Sequence, residues 1–301
     1  MRPLVTVFTP TYNREHLLTR SYEAMKRQSI HDFVWLIVDD GSTDNTKEMV
    51  ENWIRENNLF EIVYVYKENG GLQSGYVEAL KHIDTELCFC VDSDDYLCDT
   101  AIEQIYHFWN NYGSDKYAGF VALDMFSDET ILGGKFKGFE NGDEIDLIDI
   151  DIRKKITRPM NDRMLIIRTE IYKTANPAKR YSNERTINAT YLHLQIAKEW
   201  KFLVYNKPIC IVEYQEGGRS DMRHRLKDYC KVPNTYADWR IFKLGFKDLP
   251  FKDKCVQNIH YIAECIMAKR EMIKDSPTKA LTLVLLPMGV VFFLYLKVKT
   301  K

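Results

Sequence analysis

Two acidic tips hold the residues best suited to chemistry in this sequence. Asp39 and Asp40 directly follow an apolar run at 33–38, and Asp92-Ser93-Asp94-Asp95 directly follows another at 87–91. Short apolar runs of this kind read as buried strands. In an open α/β sheet, ligands bind outside the carboxyl ends of the strands, so acidic residues at two such ends converge on one site. Asp92 and Asp94, an Asp-x-Asp pair on a tight loop, offer the hard oxygen ligands that Mg²⁺ or Mn²⁺ takes when it also bridges phosphates. An isolated Asp-x-Asp is more often a capping turn. What favours metal is its place after a strand with a second acidic tip upstream. Asp39 and Asp40 precede Gly41-Ser42-Thr43-Asp44. One of the two is expected to cap the strand-to-helix turn and the other to accept a hydrogen bond from a nucleotide base.

The elements that must position these tips alternate. A strand at 4–8 leads through a turn to helical spacing at Leu17, Leu18, Ser21, Tyr22 and Met25. After the strand at 33–38, Ser42 or Asp44 is placed to cap a helix burying Met49, Val50, Trp53 and Ile54. A strand at 62–66 passes through Asn69-Gly70-Gly71 into a short helix with Ala79, Leu80 and Ile83 on one side, then to the strand at 87–91. Strands separated by helices in this way indicate parallel βαβ units. Asp99 is the expected N-cap of a helix burying Ile102, Ile105, Tyr106 and Trp109. Further strands are expected at 117–123, 164–168 and 208–214. The acidic stretch 143–151 has no strong period and reads as a flexible loop or lid. Helical spacing returns over 184–200 and dominates from 221.

Composition narrows the class. With 301 residues, 45% of them hydrophobic, the chain can bury a full core. A formal net charge of -1 removes the electrostatic case for nucleic acid. Seven cysteines without C-x-x-C spacing imply neither a disulfide framework nor a zinc site, and a reducing, cytoplasmic location is expected. The first residues enter a strand and lack the regions of a signal peptide. The histidines are scattered, and no Walker-type loop or spaced G-x-G-x-x-G follows the first strand.

Four ordered motifs make a resemblance specific. Val7-Phe8-Thr9-Pro10-Thr11-Tyr12-Asn13-Arg14, Val38-Asp39-Asp40-Gly41-Ser42-Thr43-Asp44, Asn69-Gly70-Gly71 and Asp92-Ser93-Asp94-Asp95 together resemble the inverting nucleotide-sugar glycosyltransferases of family 2. The likeness covers residues 3–220 and implies a GT-A fold, an α/β Rossmann-like mixed sheet flanked by helices, with a helical C-terminal extension. It implies that Pro10 and Tyr12 line the nucleotide pocket and that Asp40 meets the uracil with Asp39 in support. It also implies that Asp92 and Asp94, with Ser93 between them, hold a divalent metal on the donor diphosphate. Such a cation matters because the departing nucleoside diphosphate develops negative charge in the transition state. An inverting transfer also needs a base. In the family this is an acidic residue just before a helix, with a Gly-rich turn further on. Glu184, in Ser182-Asn183-Glu184-Arg185 and followed by Gly217-Gly218, matches it. The helix dipole alone also favours a glutamate in a first helical turn. Leu72, Gln73 and Val77 depart from the family's basic or His residue and later Asn, so contacts to ribose or diphosphate are expected to weaken or to come from Lys67. Arg219, Arg223 and Arg225 read as a solvated helix face that could also reach a diphosphate.

The C-terminal region suggests a surface role. Residues 280–296 carry no charge, Lys279 precedes them, and Lys297, Lys299 and Lys301 follow. As a straight helix this run spans about 25 Å, short of the roughly 30 Å hydrocarbon core, and Pro287 and Gly289 would kink it. An in-plane or re-entrant helix anchored by lysines is expected ahead of a buried helix or a true span. The expected domains are 1–220, a helical extension 221–278 and a membrane-associating segment 279–301. The expected activity moves a single sugar from a nucleotide-diphosphate sugar, a UDP-sugar, to a hydroxyl of a glycan or lipid-linked acceptor at the cytoplasmic face of the membrane. Absence of a Q-x-x-R-W sequence argues against a processive synthase. Two rivals stand beside this. One is a catalytically inactive homologue acting as a membrane-bound scaffold, favoured by the altered 72–77 loop. The other is a sugar nucleotidyltransferase, whose Gly-rich phosphate loop with its following Arg and Lys is missing.

Overall fold

The computed structural model describes residues 3–153, 163–175, 181, 184, 189–213 and 222–300. The chain divides into two compact units, 1–147 with 156–176 and 193–214, and 148–155 with 177–192 and 215–301. Three stretches inside the expected 1–220 domain, 148–155, 177–192 and 215–220, thus group with the C-terminal helices.

In chain order the elements are β1 (Val5–Thr11), α1 (Glu15–Lys26), β2 (Phe33–Asp39), α2 (Thr46–Arg55), β3 (Glu61–Tyr66) and α3 (Leu72–His82). Next come β4 (Leu87–Cys90), β5 (Tyr96–Leu97), α4 (Ala101–Tyr112), β6 (Tyr117–Met125), β7 (Glu144–Ile145) and α5 (Leu147–Asp151). They are followed by β8 (Met164–Arg168), α6 (Thr169–Thr174), α7 (Ala189–Ala197) and β9 (Lys201–Ile211). Five helices complete the chain: α8 (Met222–Lys231), α9 (Pro233–Leu244), α10 (Phe251–Ala268), α11 (Met272–Asp275) and α12 (Lys279–Lys299).

Among the described residues the first unit carries a sheet in the order β3-β2-β1-β4-β8-β6-β9-β5, with β7 on β9. β3, β2, β1 and β4 run parallel, so the segments after β1, β2 and β4 emerge at one sheet edge. β8 pairs antiparallel with both β4 and β6, which makes the sheet mixed. The central strands read as near-continuous apolar runs because both faces are covered. Trp35 of β2 illustrates this, fully buried beside Tyr22 of α1, which in turn stacks on Trp53 of α2 at 4.3 Å between ring centroids.

Several local expectations change. Asp99 does not cap α4: its carboxylate pairs with Arg27 at the surface. The first-turn N–H of Ile102 instead donates to Gln28 Oε1 at 3.1 Å, while Gln28 Nε2 donates to the carbonyls of Ala24 and Cys98. The cap comes from the turn just after α1, far away in sequence. Ile54 of α2 is exposed, leaving Val50 and Trp53 as the buried face. The acidic stretch at 143–151 is not a loop, because its alternate residues Ile145, Leu147, Ile148 and Ile150 are buried and make β7 and α5. β9 begins at Lys201, earlier than expected, and Pro208 sits within it where the register against β6 shifts, the kind of irregularity that tolerates a proline in a sheet.

In the second unit, α10 packs on α9 and α12. A buried polar cluster joins α8, α9 and α10: Glu264 Oε1 accepts from Tyr229 Oη at 2.5 Å and Arg240 Nε at 3.2 Å.

Gln28→Leu should lower unfolding stability by about 2–4 kcal/mol, since it strands a buried N–H and a buried carbonyl. Asp99→Ala, which removes only an exposed pair, should change it by under about 1 kcal/mol. Chemical denaturation of both variants checks this; the reverse ranking would restore Asp99 as the cap.

Candidate active site

The turns after β1 and β2 are tied together. Asn13, in the left-handed region at φ 51°, donates its N–H to Ser42 Oγ at 2.9 Å and accepts from Thr43 N–H at 2.8 Å. Glu15 Oε2 accepts from Asn45 N–H, and Asp44 accepts from Glu15 N–H and from Thr46. Pro10, next to last in β1, is buried where helix α3 comes close enough for Gly75 to pass against its ring. Tyr12 presents its ring outward, 47% exposed.

Asp39 and Asp40 are both buried, and each has a defined task. Asp39 Oδ1 accepts from Ser42 N–H at 2.7 Å and Oδ2 from Tyr64 Oη at 2.6 Å. It is therefore the carboxylate that closes the turn. Burial and the adjacent Asp39 raise the Tyr64 phenol above its ordinary range, so Tyr64 stays a donor. Asp40 turns to the 67–74 loop. Its Oδ1 accepts from Lys67 Nζ at 2.5 Å, Gly70 N–H at 2.9 Å and Ser74 Oγ at 3.1 Å, and its Oδ2 from Gly71 N–H at 2.7 Å. Gly41, at φ 83°, lets that loop approach, since a Cβ there would lie 2.8 Å from Asn69 N. Lys67 Nζ also donates to Ser74 Oγ and to the Glu68 carbonyl, so its three protons are engaged within the loop.

The second tip is built differently. After β4, Val91 N–H donates to the Phe8 carbonyl, and Asp95 N–H closes a turn on the Asp92 carbonyl. Helix α1 grips this turn from behind: Arg20 donates to the Asp94 carbonyl at 3.1 Å and Ser21 Oγ to the Asp95 carbonyl at 2.8 Å. Arg20 also pairs with Glu213, whose N–H donates to Asp95 Oδ1. With the backbone held, the carboxylates face one another. Oxygens of Asp92, Asp94 and Asp95 lie within 4.8 Å, with Asp92 exposed, Asp94 and Asp95 half-buried, and Ser93 buried. Burial, and then the charges of Asp92 and Asp94, push the Asp95 carboxyl up to about 8. Crowded carboxylates with hard oxygen donors suit a divalent cation, which would relieve that repulsion. Asp95 joins the expected Asp92 and Asp94. Its place in the acidic tip was visible in the sequence; the support from Arg20 and Ser21 was not.

Glu184 lies in the second unit and is not in a helical turn of its own. Its buried carboxylate accepts from Asn234 N–H and Nδ2 at Oε1, at 2.7 and 2.9 Å, and from Thr235 N–H and Oγ1 at Oε2, at 2.7 and 2.6 Å. It caps the N-terminus of α9, filling the four lone-pair positions of the carboxylate. Ser182, Asn183, Arg185, Gly217, Gly218 and Arg219 lie outside the described residues, as do the side chains of Arg223 and Arg225.

The family model for glycosyl transferase family 2 matches residues 6–133, which include all four N-terminal motifs. Residues 6–133 thus carry the signature of the family 2 glycosyltransferases. Glycosyltransferase GlyG of Streptococcus pneumoniae is 22% identical over 205 residues, 64% of this chain. The match spans 66% of GlyG, a little under two thirds, and far less of some other curated relatives, down to 10%. Among solved structures, S. aureus TarS 1–349 in complex with UDP-GlcNAc aligns with a TM-score of 0.61 at 18% identity, covering 100% of this chain and 88% of that one. A mannosyltransferase from Pyrobaculum calidifontis, in complex with GDP-Man and Mn²⁺, aligns at 0.55 with 15% identity, covering 100% and 84%. The fold is GT-A.

Glu184→Gln should cost about 1–3 kcal/mol of stability, because the amide nitrogen would oppose a donor of α9. Thermal unfolding reads it, and an unchanged midpoint would mean the cap does not support α9.

Proposed function

We propose that this chain transfers a single sugar, with inversion, from a UDP-sugar to a hydroxyl of a glycan or lipid-linked acceptor in cell-surface polysaccharide synthesis, at the cytoplasmic face of a membrane. The observation that carries this reading is the carboxylate cluster of Asp92, Asp94 and Asp95 at the sheet edge where β1, β2 and β4 end. The family signature and the donor complexes of the TarS and mannosyltransferase neighbours support it.

Asp92, Asp94 and Asp95 would hold Mn²⁺ or Mg²⁺, which when bound offsets the charge that develops on the departing diphosphate. Tyr12 offers an exposed ring for a base to stack on, with Pro10 buried behind the same turn. Asp39 holds the β2 turn in shape. Asp40 and Lys67 together form the wall of the nucleotide pocket. Reading of the uracil by Asp40 then requires the 67–74 loop to yield one donor position. Glu184 takes the acceptor proton only if one of its four hydrogen bonds is exchanged for the acceptor hydroxyl. The Thr235 hydroxyl, a single rotatable O–H, is the donor that can turn away.

Asp94→Asn should abolish most binding of Mn²⁺, titrated calorimetrically with UDP present, because an amide is a poorer ligand for a hard cation. Its thermal midpoint should hold or rise, since one carboxylate of a crowded cluster is gone. Normal Mn²⁺ affinity would place the metal site elsewhere. For Glu184→Gln, turnover should fall by about 10²–10⁴ with donor affinity nearly intact. Equal losses in turnover and donor affinity would leave Glu184 with its capping duty alone.

A further inference from the structure

Helix α12 runs unbroken from Lys279 to Lys299 through Pro287, and it is apolar on the outside. Its fully buried residues are Thr282, Gly289 and Leu296. They are spaced by seven, so at roughly 100° per residue they fall within about 40° of one another and form one narrow stripe. That stripe is closed against α10. A Cβ on Gly289 would meet Ile262 at 2.4 Å, Thr282 Oγ1 bonds Asn258 Oδ1 at 2.7 Å, and Phe292 packs on His260 at 4.5 Å between ring centroids. On the other side Val284 is 74% exposed, Val291 66%, Val298 72%, and Leu283, Met288 and Leu294 are exposed beside them.

We propose that α12 lies in the plane of an anionic membrane surface, keeping its Thr282, Gly289 and Leu296 stripe on α10 and sinking the opposite face into the headgroup–acyl boundary. This deepens the membrane part of the proposed function and does not depend on the sugar-transfer part. Length alone does not exclude a span, since 21 residues of helix reach about 31 Å. The seam on α10 excludes it. Taking α12 into the hydrocarbon would carry along α10, which has Lys252, Asp253 and Lys254 in its first turn and the fully buried Glu264 behind. Charges at that depth are costly.

Charge selects the partner. No acidic residue follows Asp275, and Lys279, Lys297, Lys299 and Lys301 make the segment purely basic. By helical geometry Lys279 and Lys297 fall on one flank of the exposed apolar face and Lys299 on the other, each about 100° from its centre. Cations on both flanks of a lipid-facing arc meet anionic headgroups. A second copy of α12 would instead bring like charges together.

The test uses the full chain with vesicles of phosphatidylcholine, with or without phosphatidylglycerol, and the surface variant V284S/V291S/L294S. Flotation should be stronger with the anionic lipid, and the variant should reduce the bound fraction at least about tenfold without lowering the thermal midpoint. Orientation is read by a cleavable tag placed after Lys301, in inside-out membranes from expressing cells. Protease added outside should remove it, because an in-plane helix leaves both its ends on one side. A protected tag in a protein that still floats overturns the in-plane geometry alone. Absence of flotation, with transfer to a soluble acceptor intact, overturns the membrane reading and leaves the transferase standing. Concentration-dependent dimers abolished by the variant, without flotation, make a second copy the occupant and overturn the proposal.

Discussion

Carboxylates gathered at the carboxyl ends of parallel strands repel one another, and the first unit is arranged around that repulsion. β2 ends in Asp39 and Asp40, and β4 leads into Asp92, Asp94 and Asp95. The fold answers the first pair with donors. Backbone N–H groups, Tyr64, Ser74 and Lys67 surround the two carboxylates, and such donors offset the cost of burying polar groups. The second group is treated in the opposite way. Donors from Arg20 and Ser21 go to the backbone carbonyls of the turn, while the three carboxylates gather within 4.8 Å of one another. The raised Asp95 carboxyl records its burial and the crowding of the three carboxylates. One tip is closed by internal donors and the other gathers three carboxylates, although both are acidic tips after apolar strands.

This division explains what was legible in the sequence. The parallel half of the sheet could be read because each strand is a bounded apolar run followed by a turn motif. Two-residue strands such as β5 and β7 carry no period, and the first half of β9 was hidden by Pro208 and by the helical spacing before it. The Gln28 cap of α4 could not be read at all. It joins residues 74 positions apart, whereas Asp99 stood at the local position where a cap belongs. Local preference names a candidate residue, and packing decides which donor and acceptor meet.

Glu184 shows the same limit at the site. A glutamate near a helix N-terminus is favoured by unsatisfied N–H groups and by the helix dipole, and that physics holds here. The helix is α9, however, which begins 49 residues further along the chain, from Glu184 to Pro233. The motif found the residue, while the reason for its burial lay in a segment with no motif. Asp40 is parallel: the resemblance points to a base contact, and the geometry shows a carboxylate already filled by the 67–74 loop. In both cases the carboxylate is already filled by internal hydrogen bonds, with which any ligand reaching it would have to compete.

The stripe on α12 completes this pattern with the polarity reversed. A helix on a water-soluble protein turns its apolar face inward. Here two of the three fully buried positions are Thr282 and Gly289, while Val284, Val291 and Val298 face out. Small residues inside allow close approach of α10, as the tight fit of Gly289 on Ile262 requires. Outside, each exposed apolar side chain forgoes about 25 cal/mol per Å² that burial would return. An arrangement that places its most hydrophobic side outward recovers that energy only where the surroundings are themselves apolar. The sequence alone shows an uninterrupted apolar run and cannot say which side packs; α10 takes the small residues, and among the described residues of the unit the opposite face stays uncovered.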